Sequence, residues 1–269
     1  MKTPCFDTVI LSDLHLGSEV SRADAALQML NGISFRRLIL LGDIFCDLNF
    51  RRLQKEHWRF LSYIRKLSNP KRKVEVVWVE GNHDYGLSEV MSHLVGVEVY
   101  QEYEWQFAGF RHLAIHGHQF DRFVVNNRFL SNVFTAFHHQ LQKMSFGQKR
   151  IVGFLERFDT VWLRLSNKVA TGALRHARDR KIDRIFCGHT HEAMRSDDNT
   201  IEYFNTGSWT QARATYITID EKGVNIHEYD ERSDNCHSGE ERSEAHADVA
   251  EFTGDTGLSG DVEYESVFG

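Results

Sequence analysis

FDTVILSDLHLG, Phe6 to Gly17, joins two kinds of sequence without a linker. Phe6 to Leu11 is apolar and β-branched and reads as a buried strand. Asp13 and His15 follow at once, on the loop after that strand. The same join recurs down the chain. Leu38 to Leu41 reads as a strand and runs into Gly42-Asp43. Val74 to Val79 runs into Gly81-Asn82-His83-Asp84, and His112 to Ile115 into His116-Gly117-His118. Arg184 to Cys187 runs into Gly188-His189-Thr190-His191. In α/β folds, sites collect beyond the carboxyl ends of strands. The first three polar clusters are therefore expected to converge on one crevice.

Between these strands lie helical patterns. Ala23 to Gly32 is one, ended by its glycine. His57 to Leu67 is amphipathic and stops before Asn69-Pro70. Val97 to Tyr100, Glu104 to Phe107 and His112 to Ile115 read as short strands, expected to be antiparallel. Phe120 to Lys181 is mostly helical in pattern and lacks proline. Ile201 to Phe204, Arg213 to Ile219 and Val224 to Tyr229 read as closing strands. No internal repeat is found.

The chain has 269 residues, 41% of them apolar and 26% charged, which suits a globular protein with a sizeable core. No apolar run of about 18 residues suggests a membrane span. Met1 to Leu11 lacks the pattern of a secretory signal. Cys5, Cys46, Cys187 and Cys236 form no CxxC pair, so free thiols in a reducing cytoplasm are expected. The net charge of −6 hides two opposed blocks. Arg122 to Lys181 holds twelve Lys or Arg against Glu156, Asp159 and Asp179. From Glu228 onward the only bases are Arg232 and Arg242, and residues 231–269 read as a disordered acidic tail. The organisation expected is one domain over residues 1–230, with a helical insertion at about 121–181.

Taken singly, each polar cluster is weak: a DxH triplet is commonly a solvated loop pair, and Gly-Asp a turn. Together they supply carboxylate, imidazole and amide oxygen, which suits divalent manganese, iron or zinc. Residues two apart in an extended chain project to one side. Asp13 with His15, and His189 with His191, can thus each offer two ligands to one place.

The order DxH, GD, GNHD, an isolated His and GHxH resembles the calcineurin-like metallophosphoesterases, over nearly the whole span from Val9 to Tyr229. The resemblance implies an α/β fold of two packed mixed β-sheets flanked by helices, with a helical cap insertion. It implies two divalent metal ions, manganese first and iron, zinc or magnesium as alternatives. Asp13, His15, Asp43 and His191 would hold one, and Asp43, Asn82, His116 and His189 the other, with the two oxygens of Asp43 bridging them. Water activated by the metals would attack phosphorus. His83 would contact the phosphate and protonate the leaving group. Asp84 is expected to orient His83 through its other ring nitrogen. Asn82, His83, His118, Arg122 and Arg128 are candidates for contact with substrate.

The SDLHLG, GDIF, HGHQFD and FNTGSW stretches are similar to the branch of UDP-2,3-diacylglucosamine pyrophosphohydrolase, of lipid A biosynthesis. There the insertion caps the site and receives acyl chains. Here it carries Phe123, Val124, Phe129, Phe134, Phe154 and Trp162 among arginines and lysines. Such a mixture suits lipid phosphates or an anionic membrane surface, and an ordinary helical hairpin equally. A cytoplasmic protein, peripheral on the inner membrane face, is expected. Two departures stand against the branch. Its lipid A enzyme has Arg at the position of His83 and an acid at that of His118. A broad phosphodiesterase or phosphomonoesterase, acting on nucleotides or phosphoproteins, is therefore the alternative. A nucleic-acid partner is not expected, because the basic block is helical and lipophilic. A dead-site scaffold is disfavoured because every ligand is present. A phosphorylated small molecule or lipid is the expected partner, and the chain a monomer or homodimer.

Overall fold

A computed structural model describes residues 4–86, 88–121, 148–211 and 213–229. The acidic tail, Arg122, Arg128 and the first part of the expected cap lie outside the described residues. The elements in chain order are β1 (Cys5–Leu11), α1 (Ala23–Gly32), β2 (Ser34–Leu41), α2 (Lys55–Leu67), β3 (Glu75–Val79), α3 (Ser88–Val95), β4 (Val99–Tyr100), β5 (Glu102–Phe107) and β6 (Phe110–Ile115). Then follow α4 (Gln148–Asp179), β7 (Arg184–Cys187), β8 (Ala193–Asp197), β9 (Glu202–Thr206), β10 (Ala214–Asp220) and β11 (Gly223–Tyr229).

The strands form a six-stranded sheet, β11-β10-β1-β2-β3-β4, and a five-stranded one, β5-β6-β7-β9-β8. Both are mixed. In the first, β1, β2, β3 and β4 run parallel. In the second, β6, β7 and β9 run parallel. The two sheets pack face to face. Ile10, Ile39, Leu41, Val77 and Val79 of one meet Trp105, Ala114, Phe186 and Phe204 of the other. The alternate residues Val9, Leu11, Leu38, Leu40 and Trp78 turn the other way, against α1 and α2. The outer face of the second sheet, through Leu113, Ile115 and Ile185, meets Ala170, Ala173 and Ala177 of α4. Side chains on a strand alternate between faces, so a strand buried on both reads as an unbroken apolar run. VIL, LILL and VVWV are such runs.

The architecture is the α/β one expected, with differences in detail. Val97 to Tyr100 was expected to be antiparallel, yet its residues 99–100 pair in parallel with Trp78 and Val79. The reason is α3, unread in the sequence, which carries the chain back between β3 and β4 as a crossover. β8 was also missed. It is a polar edge strand with no alternation of buried residues. β2 begins at Ser34, well before the apolar run, because Cys5 pairs with Ser34 and the register continues to Leu11 against Leu40. Among the described residues no helix is long and apolar enough to cross a membrane.

Candidate metal centre

Each strand run delivers its polar cluster to a common place, and backbone hydrogen bonds tie the clusters in pairs. Beyond β1 and β2, the N–H groups of Asp13, His15 and Leu16 donate to the carbonyls of Gly42, Asp43 and Ile44 at 3.1, 3.1 and 2.7 Å. Beyond β6 and β7, Gly188 N–H donates to His116 O at 3.0 Å. Trp209 N–H, in the FNTGSW loop after β9, donates to Asp13 O at 3.1 Å. Buried His57 accepts from Gly17 N–H (3.3 Å) and from Gln54 N–H (3.0 Å), so α2 and the DLHLG loop share an anchor.

The backbone is turned out of its ordinary range at the candidate ligand positions themselves. Asp13, His15, Asp43, His189 and His191 have φ of 53°, 49°, 51°, 69° and 57°. Left-handed conformation costs a residue with a side chain on the order of 1 kcal/mol or more and persists where the surroundings over-determine it. Space is equally tight. A Cβ on Gly81 would strike the carboxylate and backbone nitrogen of Asp43, and one on Gly42 would strike the ring of His116. Glycine at 42 and 81 thus lets two loops close onto the site.

Two groups of side chains come together there: Asp13, His15 and His191, and Asp43, His116 and His189. In the first, His191 Nε2 lies 3.1 Å from Asp13 Oδ1 and 3.2 Å from His15 Nε2. In the second, His116 Nε2 lies 3.2 Å from Asp43 Oδ2. The other carboxylate oxygens are engaged. Asp13 Oδ2 accepts from Ser12 Oγ and from His189 N–H, the latter at 3.1 Å. Asp43 Oδ1 accepts from His83 N–H at 2.8 Å. Asp13 Oδ1, Asn82 Oδ1 and His116 Nε2 are buried and make no hydrogen bond. Buried polar atoms are ordinarily hydrogen-bonded. Hard oxygens and imidazole nitrogens converging in this way fit divalent cations.

The electrostatics agree. Burial raises the carboxyls of Asp13 and Asp43, but His191 beside the first and His116 beside the second outweigh it, and both fall below the usual range. Burial, then the His191 and His83 rings, push His15 down to about 3, so it stands neutral with a lone pair to offer. Burial opposes a charge on His116, yet Asp43 and Asp13 pull it up to about 10. A proton there occupies the place of a cation.

The remaining candidates fall as follows. His83 presents Nε2 to the site, 4.0 Å from Asp43 Oδ2, and its Nδ1 is bonded to the Cys46 carbonyl at 2.8 Å. The expected pairing of Asp84 with His83 is therefore corrected: Cys46 takes that place. Asp84 is buried and accepts instead from the N–H groups of Gly81 (2.6 Å), Ile44 (3.0 Å) and Asp43 (3.3 Å), fastening the GNHD loop to the GD loop. His118 lies beside the second group, its ring 5.6 Å from that of His116 and 6.3 Å from that of His189. Asp43 groups with His116 and His189, and its Oδ1 accepts from His83 N–H. Sequence reasoning missed Asn205, whose Nδ2 holds the Gly188 carbonyl at 2.6 Å, and Asp121, 3.5 Å from His189. Both lie in stretches, FNTGSW and HGHQFD, whose likeness to relatives was visible without a role.

Two outcomes follow from this geometry. Asp84→Ala strands three buried N–H groups, at about 1–3 kcal/mol for each lost partner. A loss of about 3 kcal/mol or more is expected in denaturant unfolding of the metal-free protein, and a smaller one for Asp84→Asn, which keeps an acceptor; a loss below about 1 kcal/mol contradicts the clamp. Cation uptake must displace the His116 proton, since the ring carries it up to a pH of about 10. Affinity is expected to rise with pH between 6 and 8, with protons released on binding, read by calorimetry in buffers of different ionisation heat. A pH-independent affinity contradicts it.

The calcineurin-like phosphoesterase superfamily domain matches residues 6–223. No curated protein matches the chain. Among solved structures, the chain is similar to a single mutant of Vps29 from Entamoeba histolytica at 15% identity and a TM-score of 0.43, over 82% of this chain and 97% of that one. It is similar to an archaeal phosphodiesterase at 13% identity and 0.45, over 82% and 98%. A Thermotoga maritima protein is similar at 18% identity and 0.42, over 82% and 96%. With the family domain spanning most of its length, and four of its five clusters supplying two groups that could hold cations, the chain belongs to the calcineurin-like phosphoesterase superfamily and is a metal-dependent phosphoester hydrolase.

Proposed function

We propose that this chain hydrolyses a phosphoanhydride or phosphodiester with two divalent cations, of which manganese is the first choice. Asp13, His15, Asp43 and His191 would hold one cation, and Asp43, Asn82, His116 and His189 the other. The observation that carries this reading is the two Asp and His groups that separate strand ends bring together, with Asp13 Oδ1 and His116 Nε2 buried and without hydrogen bonds. When bound, the cations supply Lewis-acid charge at the phosphoryl oxygens and lower the pKa of attacking water.

The chain's own residues do the rest. His83 donates its Nδ1–H to the Cys46 carbonyl, which leaves Nε2 facing the site. Protonated there, it offers Nε2–H to the oxygen of the leaving group as a general acid. Asp84 serves by holding the loop of Asn82 and His83 rather than by touching substrate. His118, half-buried beside the second group, offers a further contact for phosphate. Arg122 and Arg128 of the basic insertion are the proposed contacts for a polyanionic or lipid-linked substrate at an anionic membrane surface.

The substrate we favour is UDP-2,3-diacylglucosamine or a related nucleotide-linked lipid. Support comes from the HGHQFD and FNTGSW stretches and from the basic, aromatic insertion of the sequence. His83, where the lipid A enzyme has Arg, favours the second reading, a broad phosphodiesterase or phosphomonoesterase. Product analysis with the manganese-loaded protein separates them. Release of UMP from UDP-2,3-diacylglucosamine, lost on chelation and regained with manganese, is the expected result. Turnover of bis-p-nitrophenyl phosphate with none of the lipid establishes the broad enzyme instead, and hydrolysis that survives chelation removes both. His83→Ala is expected to lower kcat by about 10²–10⁴-fold with both cations still bound. An unchanged kcat contradicts its role as acid.

A further inference from the structure

Asp121 has no part in the ligand set above. It closes the 3-10 turn His118–Phe120 that begins immediately after His116 and Gly117, and its N–H donates to the His118 carbonyl at 3.1 Å. The residue is wholly buried, at 0% exposure. Its Oδ2 lies 3.5 Å from Nε2 of His189. One short turn thus carries a ligand of the second group, His116, and a carboxylate set against another, His189.

An imidazole has two nitrogens, and a ring that binds a cation through one is fixed by what the other meets. His116 shows the arrangement. Its Nδ1 is bonded to the Leu41 carbonyl at 2.9 Å, and Nε2 faces Asp43. For His189 the nitrogen set against a carboxylate is Nε2, buried and 3.5 Å from Asp121 Oδ2. The nitrogen left for the cluster with Asp43 and His116 is then Nδ1. A charged carboxylate behind the ring also strengthens the ring as a ligand more than a carbonyl does.

We propose that Asp121 is a positioning residue: it accepts the Nε2–H of His189 and so fixes the tautomer that presents Nδ1 to the second cation. This inference rests on the two-cation reading. The turn is itself held from behind: the backbone at Gly172 of α4 lies against Phe120, where a Cβ would come within 2.8 Å of the Phe120 Cβ.

The test uses the full chain loaded with zinc, labelled with 15N at histidine. Wild type is first titrated for stoichiometry. Fewer than two zinc ions per chain overturns the two-cation reading and this inference with it. With two bound, long-range ¹H–¹⁵N spectra are expected to show His189 coordinated through Nδ1 and protonated at Nε2; coordination through Nε2 overturns the proposal alone. In competition titrations, Asp121→Ala is expected to weaken the second zinc by about 10–100-fold while the first is unchanged. Asp121→Asn keeps an acceptor oxygen and is expected to lose less, with His189 still bound through Nδ1. Unchanged affinity in both variants, or equal weakening of both zinc ions, overturns the positioning role.

Discussion

Two carboxylates and four imidazoles, Asp13, Asp43, His15, His116, His189 and His191, are packed face to face with little access to water, and the rest of the molecule is arranged around that juxtaposition. Taking ionised groups out of water costs several kcal/mol each unless charges and hydrogen bonds compensate. The two sheets meet part of that demand by stiffness. Their apolar strands are buried on both sides, so the residues at the strand ends have little room to move apart. The left-handed backbone at five of these six residues reflects the same demand, since an extended or helical residue at those points would turn its side chain elsewhere.

A common logic runs through the side chains. Each uses one atom for fastening and keeps another for the site. Asp13 anchors Oδ2 on the His189 N–H and presents Oδ1. Asp43 anchors Oδ1 on the His83 N–H and presents Oδ2. His116 and His83 fasten Nδ1 to carbonyls of the β2 end and its following loop, and present Nε2. Ligands so fixed lose little freedom when a cation arrives, and a site prepared in this way binds with less reorganisation. Asp84 contributes at one remove. Its carboxylate gathers three N–H groups from two loops, and burial followed by the nearby charge of Asp43 holds it up to about 6.

Much of this was legible from residue order. The ligand positions follow from apolar runs that end abruptly in Asp, His and Asn, because both the strand and the end of the strand leave a mark in sequence. Elements whose causes are not local left none. The parallel pairing of β4 depends on a helix, α3, with a short and mixed pattern, and β8 is a polar edge strand. The partner of His83 was misassigned for a similar reason. Asp84 is adjacent in sequence, but the turn after Gly81 points its carboxylate at backbone N–H groups, and a carbonyl from residue 46 fills the place. Backbone acceptors carry no residue-type signal. Asp121 and Asn205 were visible as parts of shared stretches, but their contacts run between distant segments and could not be read from spacing.

The most direct test of the account is anomalous diffraction at the manganese edge from crystals grown with manganese. Two peaks are expected, one among Asp13, His15 and His191 and one among Asp43, Asn82, His116 and His189. A site that stays empty at saturating manganese, or a single peak contacted by neither group, would contradict it.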